Sequence, residues 1–104
     1  MKSFYGELFV EDQNGDKKSV YVLVGENTYG ETVIELHNAN PPNGFNTLVG
    51  RYGDFWSLKK VKWKLLVTEY EMTFLQESPP IKMKCVTGHK FGKMLEAAIE
   101  TLNA

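Results

Sequence analysis

Few side chains in this sequence are spaced for chemistry. Cys85 and His89 stand four residues apart, a spacing at which an imidazole can activate a thiol if both face one cleft. In IKMKCV (81–86), however, Ile81, Met83 and Cys85 alternate with Lys82 and Lys84, which puts the cysteine on the apolar row of a strand, where a thiol behaves as a small hydrophobe. A closed zinc site takes four protein ligands, and the chain has one cysteine and two histidines. TGHKFGKM (87–94) lies between a strand pattern and a helix pattern, as a phosphate-cradling G-x-x-x-x-G-K-[ST] loop does. It departs from that loop twice: three residues separate Gly88 from Gly92, and Met94 occupies the place of the magnesium-binding hydroxyl. Its plainer use is to start a helix, with Thr87 as N-cap. His37, beside Glu35 on a polar row, reads as a solvated imidazole, and Asp12, Asp16 and Asp54 as turn carboxylates that accept backbone hydrogen bonds. No nucleophile, base and orienting group share a workable spacing. The expectation is a non-enzyme without cofactor or metal.

Binding chemistry is better represented. RYGDFWSLKKVKWK (51–64) gathers Arg51, Lys59, Lys60, Lys62 and Lys64 with Tyr52, Phe55, Trp56 and Trp63, and rings beside cations on an open sheet hold single-stranded nucleic acid by stacking and charge. The whole chain works against that use: 12 Lys and Arg face 13 Asp and Glu, so no net field draws a polyanion. Phe45, Tyr52, Phe55 and Trp56 fall in or beside loops, where rigid rings anchor protein interfaces. The sequence therefore points first to a non-catalytic protein-interaction module, an inhibitor, adaptor or self-associating subunit, using those four rings. The alternative is a single-stranded nucleic-acid-binding protein using Arg51, Tyr52, Trp56, Lys59, Lys60, Lys62 and Lys64. A homodimer is compatible with either, and so is the simpler outcome in which the rings turn inward to complete the core.

The elements that would position these residues follow from periodicity. FYGELFVE (4–11) and SVYVLVG (19–25) flank an Asn14-Gly15 turn as a hairpin, and apolar residues on both faces of the second strand suit a central position. ETVIELHN (31–38) alternates as a half-exposed strand. ANPPNGFN (39–46) is a proline-rich loop, and a short strand over 47–52 is weakened by Gly50 and Gly53. KKVKWKLLVTEYEMTF (59–74) changes phase midway: Val61, Trp63 and Leu65 oppose the lysines, and then Leu66, Thr68, Tyr70, Met72 and Phe74 form the apolar row. Sixteen extended residues would span roughly 50 Å, so the segment must bend. One strand bulged at Leu65–Leu66 restores a single core face that includes Trp63 and leaves the lysines outside with Glu69 and Glu71; the alternative is two strands, broken near Leu66, in different layers. Pairing with 81–86 is expected to put Met83 opposite Phe74 and Cys85 opposite Met72, with Lys84 near Glu71. HKFGKMLEAAIETLN (89–103) carries Phe91, Met94, Leu95, Ala98, Ile99 and Leu102 on one helical stripe, with Lys90, Lys93, Glu96 and Glu100 outside it.

The fold expected is α+β: a curved, mainly antiparallel five- to six-stranded meander sheet with one C-terminal α-helix packed on one face, forming a single domain over 1–104. One helix under-covers such a sheet, and Tyr5, Phe9, Tyr21 and Leu23 lie on its far face. A lone cysteine, no apolar N-terminal run and no window of about 18 apolar residues point to a cytoplasmic protein with no membrane partner.

Overall fold

A computed structural model describes residues 3–40 and 47–104. The chain runs through β1 (Phe4–Glu11), β2 (Lys17–Glu26), β3 (Thr32–His37), β4 (Leu48–Arg51), β5 (Trp56–Trp63), β6 (Val67–Phe74) and β7 (Ile81–Gly88) into α1 (His89–Asn103). The seven strands form one sheet in the order β4-β3-β2-β1-β7-β6-β5, antiparallel at each of its six pairings. The α+β architecture is as expected, but there are seven strands rather than five to six, and two meanders, β1–β4 and β5–β7, are joined side by side through β1 and β7.

Turn chemistry sets the first meander. Asp12 Oδ1 accepts the amides of Asn14 at 2.8 Å and Asp16 at 2.9 Å, while Gly15 takes the left-handed conformation (φ 83°) that closes the β1–β2 hairpin. Asn27 repeats the device at the next turn, accepting from Tyr29 and Glu31. Between β1 and β3, β2 turns Val20, Val22 and Val24 into the core.

The sheet curls until its edges converge. Only residues 52–55 link the edge strands β4 and β5. Within that link the Tyr52 amide donates to the Ile34 carbonyl at 2.9 Å, that of Gly53 to Trp56 at 2.7 Å, and Leu75 donates to Phe55 at 2.9 Å. Trp56 closes the seam: it is fully buried, its Nε1–H donates to the Gly50 carbonyl at 3.1 Å, and its ring meets Tyr52 edge-on at 5.1 Å. Inside the curl, core side chains such as Leu8, Ile34, Leu36 and Met72 form one cluster with Leu95 and Ala98 of α1. The helix spans the expected residues, but Thr87 is not its N-cap. Thr87 stays in β7, buried, with its hydroxyl donating to the Glu7 carbonyl at 2.9 Å, and Gly88, paired with Val67, is the N-cap. Met94 and Leu102, expected on the packed stripe, are partly exposed, and Glu96, expected outside, lies against Tyr70. Gly6 lets the helix approach, because a Cβ there would overlap the Phe91 ring.

The segment 59–74 is not one bulged strand. β5 ends at Trp63, the chain reverses, and β6 returns beside it in the same sheet, so the two-layer alternative is also set aside. The longest dimension of the molecule is 40 Å, too short for the extended segment. A bulge does exist, at Val61: Lys60 pairs with Tyr70, and Lys62 with Glu69. Lys60 consequently shares a row with Tyr70, whereas Lys59 and Lys62 lie outside with Glu71 and Glu69. Trp63, expected in the core, is half exposed. The β6–β7 register keeps the expected parity but is displaced by two residues, with Met72 opposite Met83 and Tyr70 opposite Cys85; Glu71 faces Lys84. His37, expected in solvent, is 3% exposed, because the register slips between Leu36 and His37 and breaks the alternation there. No helix among the described residues is long and apolar enough to cross a membrane.

Candidate interaction surface

The β5–β6 hairpin turns over Leu65 and Leu66, closed by the Lys64 amide donating to the Val67 carbonyl at 2.8 Å. Two-residue hairpins usually need positive φ and hence Gly, Asn or Asp. This one contains none of them, and no described non-glycine residue has positive φ. Tertiary contacts hold it instead. His89, the first residue of α1, donates from Nε2 to the Lys64 carbonyl at 2.9 Å, because a carbonyl only accepts, and its Nδ1 shares a hydrogen bond with the Thr68 hydroxyl at 2.8 Å. The same imidazole stacks on Trp63, with centroids 4.1 Å apart and planes at 25°. One helical residue thus pins both strands of the hairpin and the ring at its base.

What the hairpin presents is apolar. Leu65 is 92% exposed, Leu66 77%, Val61 53% and Trp63 51%. Single exposed apolar residues are ordinary, but four in one six-residue stretch form a patch of the kind that marks contact sites. Cations surround it: Lys60 and Lys93 place Nζ 5.8 and 5.3 Å from the Trp63 ring centroid. Beneath them Glu96 takes the Lys60 ammonium at 2.8 Å and the Tyr70 hydroxyl at 2.8 Å. Burial pushes the Glu96 carboxyl up, but these two partners outweigh it and hold the group below the ordinary carboxylate range. Burial, followed by the Glu96 carboxylate, pushes the Tyr70 hydroxyl well above the phenol range. Lys64 bonds Glu69 at 2.8 Å and lowers its carboxyl.

Two grooves open elsewhere. Tyr5, Leu23, Glu35 and Arg51 lie in one cross-strand row over β1–β4; with Val33 and Glu26 they line a groove of about 690 Å³. On the outer side of β1 and β7, Phe9 lies exposed in a groove of about 530 Å³ with Lys17, Lys18, Lys64 and Lys84. Three of these lysines already face carboxylates, Lys17 with Glu11 at 3.9 Å, Lys64 with Glu69, and Lys84 opposite Glu71 in the strand register.

The rings expected to form an interface are dispersed in role. Trp56 is buried, Tyr52 half-buried against it, and Phe55 exposed near the seam; Phe45 lies outside the described residues. The basic segment is divided as well: Lys59 and Lys62 point outward, Lys60 and Lys64 are ion-paired, and Arg51 belongs to the opposite edge strand. Cys85 is buried, which pushes its thiol up to about 12, and His89 is engaged with Thr68 and Lys64, so the two form no dyad. Sequence reasoning missed Leu65, Leu66 and the role of His89; the signal for the first two was the phase change itself, which is centred on them. Compared with known proteins, the chain matches no family model, no curated sequence and no solved structure.

Proposed function

We propose that this protein is a non-catalytic protein-interaction module whose contact surface is the β5–β6 hairpin tip. The observation that carries the reading is the pair Leu65 and Leu66 at 92% and 77% exposure on a turn held in place by His89. A preorganised apolar tip loses little conformational entropy on binding, and Trp63 beside it has the size and rigidity of an interface anchor. The experiment is affinity capture from extracts of the source cells with the wild-type chain and with L65E/L66E, a change on side chains that make no core contact. The reading expects partners captured by the first and lost by the second. Equal capture by both overturns it.

Single-stranded nucleic acid is the second reading, supported by exposed Phe9 among Lys17, Lys18, Lys64 and Lys84. It expects salt-sensitive binding of an oligonucleotide, weakened in K18E/K84E; no binding at low salt removes it.

A further inference from the structure

We propose that the hairpin tip also seats the chain on an anionic phospholipid surface, with Leu65 and Leu66 inserted among the acyl chains and Trp63 and the neighbouring lysines at the headgroups. The inference rests on the tip being the contact surface, as argued above, and goes beyond that reading in the ligand. A bilayer and a protein partner would compete for the same side chains.

Three observations select a lipid surface. The first is shape. Leu65 and Leu66 are adjacent at the end of a hairpin and 92% and 77% exposed, so each is bare on most sides, and a fluid bilayer closes around both at once. The second is the order of side chains from the tip inward: the leucines, then Lys64 and Trp63, then Lys62. Apolar interior, aromatic belt and anionic headgroups follow one another in the same order along a bilayer normal. Long lysine stems keep their ammonium groups at headgroup level while the tip goes deeper. The third is charge. Glu96 holds Lys60 and Glu69 holds Lys64, and Lys62 stands opposite the Glu69 that Lys64 already occupies. Lys93 lies over Trp63, and Lys90 follows the pinned His89. Five ammonium groups about the tip thus meet two carboxylates, in a chain whose net charge is −1, so the positive excess is local. The helix adds to it, because α1 begins beside the tip with no side-chain cap and no acid in its first turn.

A contact of this kind lies on the bilayer without crossing it. It uses no apolar helix, so the expectation of no membrane partner, drawn from the lack of a spanning segment, does not bear on it. A small apolar anchor alone binds weakly and reversibly, and a basic patch supplies the second signal that strengthens it.

The test is binding of the purified full-length chain to vesicles of phosphatidylcholine alone and of phosphatidylcholine with phosphatidylserine, read by co-sedimentation and tryptophan emission. Trp56 is fully buried and stays silent, whereas the half-exposed Trp63 should shift to the blue and be quenched by brominated acyl chains. Binding is expected to favour the anionic vesicles strongly and to weaken with salt. L65E/L66E should weaken it about 100-fold or more, since two leucines lose their burial. K62E/K93E should weaken it at least about tenfold, since each lysine near an anionic surface contributes roughly fivefold. Both changes fall on exposed side chains, and circular dichroism checks that each variant is folded. No binding to anionic vesicles at low salt, binding that L65E/L66E leaves intact, or loss in K18E/K84E without loss in K62E/K93E overturns the lipid contact. If the chain ignores vesicles yet captures proteins through Leu65 and Leu66, only the lipid ligand has failed. Vesicle binding that needs the leucines, with protein capture that does not, removes the protein reading and keeps this one.

Discussion

Replacing His89 tests whether the hairpin tip is held from the helix. His89→Ala removes the hydrogen bonds to Thr68 and to the Lys64 carbonyl and the stack on Trp63. A hydrogen bond contributes about 1 kcal/mol net, and the bond to Lys64, at the surface, belongs at the lower end of that range. An aromatic stack adds about 1 kcal/mol. The expected loss is about 2–2.5 kcal/mol, which for a domain of this size lowers Tm by roughly 10 °C. His89→Phe keeps a flat ring over Trp63 and loses only the bonds, so it should cost about 1–1.5 kcal/mol. Urea unfolding followed by far-ultraviolet circular dichroism measures both, because Trp63 itself changes environment and complicates fluorescence. Its emission becomes the second readout: Trp56 stays buried, and any red shift in His89→Ala reports Trp63 leaving its stack. The reasoning fails if His89→Ala lies within about 0.5 kcal/mol of wild type, the usual scatter of surface substitutions. It fails in part if His89→Phe is as costly as His89→Ala, for then stacking contributes nothing.

Three further outcomes follow from the packing and the charges. The Cys85 thiol, buried and pushed up to about 12, should resist a maleimide in the native protein at neutral pH and react once per chain in denaturant; rapid native labelling would contradict its burial. Gly6→Ala drives a methyl into the Phe91 ring and should cost about 1–3 kcal/mol in urea unfolding as an overpacking change, against little change if the helix can shift away freely. Glu69 and Glu96 are held below their ordinary values, so their stabilisation is complete above the unfolded carboxylate value of about 4.3 and is lost as pH falls through the lower folded values. Tm should therefore hold from neutrality down to about pH 5 and fall in acid, and E69Q/E96Q should flatten that fall; an unchanged acid limb would show that these carboxylates are not the groups responsible.

The parts of the fold that were legible are those whose side-chain period and turn residues agree. Val20, Val22 and Val24 alternate into the core, Asn14-Gly15 closes its hairpin, and α1 follows its apolar spacing from Phe91 to Ile99. The β5–β6 turn was illegible as a turn because Lys64-Leu65-Leu66-Val67 contains no residue that favours one. Its closure depends on His89, 23 residues beyond Leu66 in the chain, and a contact at that distance leaves no local trace. The flip in alternation was visible, but a bulge and a reversal both produce one, and here both occur within five residues. Trp56 illustrates a different failure. Its neighbours Gly53 and Asp54 mark a loop, which is correct, yet the loop joins the two converging edges of a curled sheet, so its ring is at the centre of the seam rather than at a tip. Curvature of that kind is a property of the whole sheet and cannot be deduced from the residues of one link.

The hairpin also bears on why the tip reads as a contact surface and not as an accident of composition. An Asn-Gly pair closes the β1–β2 hairpin with its own backbone preference and small, hydrated side chains. The same solution at Leu65–Leu66 would need no help from the helix and would expose no apolar area. Instead the chain places two leucines there, commits the first residue of α1 to holding them, and surrounds Trp63 with Lys60 and Lys93. The adjoining edge strand carries lysines at Lys59, Lys60 and Lys62 and a bulge, the features that discourage indiscriminate strand pairing. On the proposed reading, guarding the edge while leaving the tip bare would direct association to the side chains of the turn, where shape and charge discriminate between partners, and away from backbone hydrogen bonds, which do not.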